Sequence, residues 1–552
     1  MEQARMFIAI GLSFLVFFVW QYFFVEPQQS PQTSDEKAQT AAEPGQTTAV
    51  EPATVVPSQA LPPPDPDGIT PQGDARKITV STPLFTAVLS ERGAVFTSFV
   101  LKNYRETVDV DSPLKELVIP GVGQGNFGTG FDHKSVAGMQ QALFSLDTSD
   151  AEISVSQKPQ SLTFTWVSPT GMSVHKKYTF SPDSYRIGLE LTVNNPSQQA
   201  FQARPYLSIL HPAPQKNQTY AFEGPSALID GKLHEIPIKK IPDQNTLQGR
   251  IAWVALQDRY FMASIIPEEE LEAVMRLSLV GEDFVEARYV APEVVVVPGT
   301  QKSIFYSLFM GPKNIRILQG LGHELSRAVD FGMFDFIAKP GVWLLNFIYG
   351  FIPNYGVAII ILTVFTKILL WPLGNKSYKS MNEMKKLQPL MAEIREKHKG
   401  DKKKMNEEVM GLYKTYKINP VGGCLPMVAQ IPIFFALYRM LYQAIELRHA
   451  PFFLWIDDLS APDRLFEFGF SIPFMDPPYG IPVLTIIMGA TMFLQQKMSP
   501  PPGDPTQAKM MMFLPIVFTV IFINFSSGLV LYWLVNNVLS IAQQYYISKK
   551  YA

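Results

Sequence analysis

After Val357 the chain alternates long apolar runs with short polar connections, and that pattern leaves few folds open. Five runs, Val357–Leu373, Val421–Tyr442, Ile481–Gln496, Met510–Asn524 and Gly528–Tyr545, are dominated by Leu, Ile, Val, Phe and Met. A sixth, Met6–Val25, is free of charge and is preceded by Arg5. A helix of about 20 such residues crosses a hydrocarbon core of roughly 30 Å. The exit of the first run, Phe24-Val25-Glu26-Pro27, has no small-x-small cleavage site, so an uncleaved anchor (residues 1–25) is expected instead of a signal peptide. Ile481–Gln496 and Met510–Asn524 give only about 24 Å of helix, so local bilayer thinning or help from flanking residues is implied.

The composition agrees once it is read by region. Charged residues are 17% of 552, against roughly 25% in ordinary soluble chains. A single cysteine, Cys424, excludes an intrachain disulfide and a cysteine zinc cluster. The stretch 26–76 carries ten prolines before Ala75 among Gln, Thr, Ala and Ser, which predicts a disordered Pro-rich tether. From 77 to 330 the residues alternate, as in Lys77–Val80, Leu84–Leu89, Val95–Leu101, Leu162–Val167, Val174–Phe180, Tyr185–Val193 and Ile251–Ala255, with turn residues between. A large all-β sandwich is expected there. In the region 331–356, Val342–Phe351 is apolar but too short to span, which fits an interfacial amphipathic helix. The expected fold is therefore a multi-domain membrane protein: a six-span α-helical core including the anchor, and a large β-sandwich.

Orientation follows from the basic residues beside the spans. Gly374–Asn419 holds twelve Lys/Arg against six Asp/Glu, whereas Gln443–Gly480 holds two against six. With Lys497, Lys509, Lys549 and Lys550 on the basic side, both termini are expected in the cytoplasm and the β domain outside it.

Within 374–419, Met384, Leu387, Met391 and Ile394, then Met405, Val409, Leu412 and Tyr416, have helical spacing, with Gly400-Asp401 between them. That predicts a cytoplasmic helical hairpin whose tip carries Lys397, Lys399, Lys402, Lys403 and Lys404. Pro389 must kink the first helix or begin a new one. The lysines are either a solvated positive-inside face or a contact surface for an acidic partner such as ribosomal RNA or a targeting factor.

Lys367 lies about 9 Å below the end of its span at 1.5 Å per residue. Ionisable groups at that depth face a protein interior or a wet cavity, although a lysine stem is also long enough to snorkel. Thr363 is one turn away, and Gln430 is mid-span in another run. These polar groups suggest one hydrated cavity, or polar contacts between helices. Other motifs are discounted. Gly123-Gln124-Gly125-Asn126-Phe127-Gly128 has no helix-forming run after it, the seven histidines lack metal-ligand spacing, and no GxxxxGK[ST] occurs. No catalytic residue, cofactor or metal is expected.

Thr366-Lys367-Ile368-Leu369-Leu370-Trp371-Pro372-Leu373, Lys417-Ile418-Asn419-Pro420-Val421-Gly422-Gly423-Cys424-Leu425-Pro426, Gln430-Ile431-Pro432-Ile433-Phe434, Glu446-Leu447-Arg448 and Ser527-Gly528-Leu529-Val530-Leu531-Tyr532-Trp533 together resemble the YidC/Oxa/Alb insertase family. The likeness covers about 351–546; the β region resembles more weakly the large periplasmic domain of its Gram-negative members. The resemblance implies a five-span core around a hydrophilic groove open to cytoplasm and lipid, lined by Lys367, Thr363, Gln430, Pro432, Phe434, Tyr532 and Trp533. Family members usually carry arginine where Lys367 stands; lysine keeps the charge without the bidentate fork. The resemblance also implies a galactose-mutarotase-like sandwich, a bacterial inner-membrane location, and nascent membrane proteins, the ribosome, the Sec translocon, targeting factors and lipids as partners. A multi-span transporter and a tethered sugar-active protein are the rival classes. The first would show internal repeats, and the second paired carboxylates or a tuned histidine in a β-domain cleft.

Overall fold

The structure, a computed structural model, describes residues 75–551 apart from 120–124, 214–220, 282, 399, 417–424 and 500–504. The anchor Met6–Val25, nearly all of the tether, Lys399 and Cys424 lie outside the described residues.

Residues 77–312 form two large packed sheets and one two-stranded sheet, Phe201–Ala203 with Val294–Val296. In Arg186–Asn195, Ile187, Leu189, Leu191 and Val193 point inward while the residues between them are half-buried, the period-2 signature of one covered face. This strand pairs antiparallel with Ser173–Phe180 on one side and Thr300–Pro312 on the other. Phe261–Pro267 is buried at every position, as a central strand covered on both faces should be. The smaller, five-stranded sheet is antiparallel except where Lys77–Ser81 runs parallel to Glu152–Ser154. Phe96 of this sheet packs edge-on against Tyr178 of the larger one at 5.4 Å, and the Tyr178 hydroxyl donates to the Ala94 carbonyl at 2.8 Å. The expected all-β sandwich is present.

Beyond it the chain is helical. Helix α1 (Ile315–Gly320) is capped by Asn314, whose side chain accepts from the amides of Arg316 and Ile317. Helix α2 (Asp335–Phe351) begins before the apolar run, held by a Lys339–Asp335 ion pair one turn apart. Its inner face, Ala338, Gly341, Val342 and Leu345, is buried, while Phe336, Trp343, Phe347 and Phe351 are exposed.

Helix α3 (Tyr355–Leu369) starts at the Asn354 cap. The expected run through Leu373 is interrupted: the helix stops at Leu369, and α4 (Trp371–Lys386) leaves at a 65° bend. Pro372 is the physical reason, because it has no amide for the Ile368 carbonyl and disfavours helical geometry at the residue before it. A second break at Leu387 separates α4 from α5 (Gln388–Lys397), with Pro389 in the first turn. Met384 therefore belongs to the helix before the hairpin.

Helices α5 and α6 (Lys402–Thr415) form a compact unit with the turn at Gly400-Asp401. The remaining helices are α7 (Leu425–Gln443), α8 (Val483–Met498), α9 (Pro505–Phe522) and α10 (Ser527–Tyr551). Among the described residues no single helix is long and apolar enough by itself to cross a membrane. Helices α3 and α4 meet that measure only as a bent pair.

Candidate functional site

Helices α3, α8, α9 and α10 reverse the usual arrangement of polarity. Their outward side chains are apolar: Phe365, Ile368, Ile486, Phe493, Phe513 and Val517 are all exposed. Their inward ones include Thr363, Thr485, Asn537, Ser540, Gln543 and Gln544, all buried. Water would penalise such a continuous apolar exterior, whereas lipid accepts it and leaves the polar groups to pair inside.

Helix α10 is the polar spine of this bundle. Asn537, Ser540 and Gln544 recur at helical spacing on one face. The Asn537 amide donates to the Thr491 hydroxyl of α8 at 3.2 Å. The Gln543 amide donates to Asn375 Oδ1 at 3.0 Å and to the Trp371 carbonyl at 3.3 Å, both on α4. The Gln543 amide packs directly against Gly374, where a Cβ would lie 2.8 Å from its nitrogen and displace it.

Lys367, near the C-terminal end of α3, turns into the bundle. Its ammonium donates to the Ser540 hydroxyl at 2.6 Å. Thr363 is buried, but its hydroxyl donates to the Ile359 carbonyl of its own helix at 2.7 Å. Gln430 on α7 hydrogen-bonds Tyr532, which is buried. Pro432 is exposed within α7. Phe434 meets Trp533 edge-on at 4.6 Å, and Trp533 meets Phe522 at 4.9 Å. Both polar pairs therefore end on α10, but Tyr532 and Ser540 are eight residues apart, or about 12 Å along the axis. The structure resolves the expected residues into a polar station at Lys367 and an aromatic station around Gln430, Phe434, Tyr532 and Trp533.

Sequence reasoning missed Ser540 and its neighbour Tyr378, which also hydrogen-bonds Ser540. The available signal was the recurrence of Asn537, Ser540 and Gln544 in a run otherwise read only for its apolar residues. Glu446 and Arg448 were recognised as a motif, but not for their place in the structure. Glu446 Oε1 accepts from the side-chain amides of Asn314 at 3.1 Å and Asn346 at 3.2 Å. Burial holds its carboxyl above the usual carboxylate range. Arg448 donates to the carbonyls of Arg105 and Glu106 at 2.6 and 3.0 Å. Arg259 stacks 3.6 Å from the Tyr442 ring centroid and donates to the Tyr442 carbonyl. These contacts tie the sandwich to α2, α7 and the loop after α7.

In the hairpin, Asp401 caps α6 by accepting from the Lys403 and Lys404 amides, both at 3.1 Å. Lys397, Lys403 and Lys404 are exposed, and Lys402 opens the helix. Glu408 faces Lys397 at 4.0 Å and His398 at 3.0 Å.

Two family models cover nearly all of the described chain: "60Kd inner membrane protein" over residues 347–552 and "YidC periplasmic domain" over 77–344. The membrane protein insertase YidC of Syntrophus aciditrophicus (strain SB) is 41% identical, over 98% of this chain and 99% of its own. This chain belongs to the YidC membrane protein insertase family. The sandwich lies within the family's periplasmic-domain match, and the helices from α3 onward lie within the inner-membrane-protein match. Similar solved structures include an active YidC insertase with its first transmembrane domain resolved, at 18% identity and TM-score 0.38, covering 86% of this chain and 93% of that one. A galactose mutarotase-like protein from Lactobacillus casei also matches, at 13% identity and TM-score 0.31, over 43% of this chain and all of that one.

Proposed function

We propose that this YidC-family chain inserts integral membrane proteins and helps them fold, alone or with the Sec translocon, by drawing the client's translocated end into a hydrophilic groove at Lys367. The carrying observation is the half-buried Lys367 at the end of α3, whose ammonium is turned onto the buried Ser540 hydroxyl. A carboxylate entering such a site exchanges bulk water for a fixed positive charge in a medium of lower dielectric, where opposite charges attract more strongly. The half-buried Phe434 and Trp533, packed around the buried Tyr532, give the apolar part of a client a surface about two turns of α10 from the polar one. Pro432 is exposed on α7, two residues from Gln430 and from Phe434.

Six spans with both termini in the cytoplasm best account for the charge distribution. The exposed aromatic face of α2, where Trp343 stacks on Phe347 at 5.4 Å, suits the lipid interface. The basic hairpin suits ribosome or targeting-factor contact through Lys397, Lys399, Lys402, Lys403 and Lys404. A mutarotase-like sandwich remains our reading of the periplasmic domain.

The test compares one single-span client carrying Asp in its translocated tail with the same client carrying Asn. Lys367→Arg should insert both. Lys367→Glu should block the Asp tail, and Lys367→Ala should impair it by roughly tenfold, as expected for losing one charged partner. Equal defects for both tails would refute the groove-charge reading. Site-specific crosslinks from positions 430 and 532 to a ribosome-bound nascent chain provide a direct contact assay.

A further inference from the structure

We infer that Ser540 is the positioning residue for the groove charge. The inference rests on the groove reading above and assigns the geometry of that site to a residue on a different helix.

A serine hydroxyl has one proton to donate and two lone pairs to accept with. Here the Ser540 hydroxyl donates to the Asn536 carbonyl at 2.7 Å, one turn earlier in α10. It accepts from the Lys367 ammonium at 2.6 Å. Its proton and one lone pair are then taken, and Ser540 is only 3% exposed. The hydroxyl therefore cannot rotate without breaking a bond, so it forms a fixed acceptor for a mobile stem. Lys367 brings three donors, and Ser540 takes one. The other two remain for water or an incoming carboxylate.

The lysine makes this partner necessary. Arginine presents a planar, pre-organised fork, whereas an ammonium on four methylenes has no preferred direction of its own. Anchoring one proton of the ammonium restricts the stem to conformers in which the charge faces into the bundle. Ser540 consequently matters for the charged client and for lysine, and much less when arginine occupies position 367.

The experiment is a double-mutant cycle in full-length protein reconstituted into liposomes, with the Asp-tail and Asn-tail clients. Ser540→Ala should reduce insertion of the Asp tail several-fold, up to roughly tenfold, and change the Asn tail by less than about twofold. Ser540→Thr, which retains the hydroxyl, should restore the Asp-tail client. In a Lys367→Arg background, Ser540→Ala should lose most of its effect, so the two substitutions are coupled. Equal loss for both tails, or an undiminished loss in the arginine background, would mean that Ser540 only packs helices and would overturn the inference. If Lys367→Ala is selective for the Asp tail while Ser540→Ala is not, the groove reading stands and this inference alone fails. If Lys367→Ala shows no selectivity, both fail.

Discussion

Lys176 and Lys367 place the same side chain in two kinds of interior. Lys176 is fully buried in the sandwich, where its ammonium donates to the Gly93 carbonyl at 2.7 Å and lies 4.9 Å from the Phe144 ring centroid. Burial pushes its pKa down to about 7 from 10.5. Between those values the unfolded chain holds a proton that the folded chain lacks, so stability climbs as pH rises through the window. Lys176→Met keeps the volume and removes the ionisation. It should stabilise the sandwich by on the order of 3 kcal/mol near pH 6, with the advantage shrinking toward about pH 10. Thermal melts at several pH values would measure this, and a pH-independent difference would contradict it. Lys367 has the Ser540 hydroxyl as partner and, in our reading, an acidic visitor, so its replacement should alter client selectivity first.

The hairpin α5–α6 differs from every other helical element. It is a compact unit of its own, and its charged side chains are largely exposed. The bundle helices, by contrast, are locked by close approach: a side chain at Gly489 of α8 would collide with Thr519 of α9. Deleting 388–415 and closing the gap with a short flexible linker should therefore leave a membrane-integrated, stable protein. Client insertion should be lost, because the basic tip goes with the deletion. Protease resistance and extraction behaviour check the first expectation, and an insertion assay checks the second. Full insertion by the deletion variant would show that the lysines are only a solvated face.

Across the whole molecule, the most consequential joint is Glu446. One buried carboxylate oxygen receives Asn314 from the end of the sandwich and Asn346 from α2, and Asn346 in turn accepts from the Tyr355 hydroxyl at 3.0 Å. Because burial raises the folded pKa of Glu446, its contribution is fully present below the ordinary carboxylate pKa and declines as pH rises through the raised value. Glu446→Gln retains an oxygen able to accept both amides and never ionises. It should match the parent in acid and exceed it by about 1–2 kcal/mol at alkaline pH. Glu446→Ala strands two buried amides and should destabilise the joint at every pH, by about 2–3 kcal/mol. Melting curves of both variants against pH test this joint.

Much of this protein is legible in its sequence because both of its solvents leave periodic marks. Alternation in Arg186–Asn195 announced a half-covered strand, and the uninterrupted apolar runs after Val357 announced helices suited to lipid. Pro389 marks a kink or a helix start because a missing amide has a local effect, and the structure shows a start; Pro372 carries the same information for the bend between α3 and α4. Pairing across helices has no such local mark. Lys367 and Ser540 are 173 residues apart, and Asn314 and Glu446 are 132 apart. Which lone pair receives which proton depends on how the helices are rotated and how closely they pack. Sequence alone therefore determined that a charge lies inside the apolar run Val357–Leu373, while the tertiary structure decided that it meets the hydroxyl of Ser540, because a hydrogen bond of 2.6 Å requires two helices to be placed to within a fraction of an ångström.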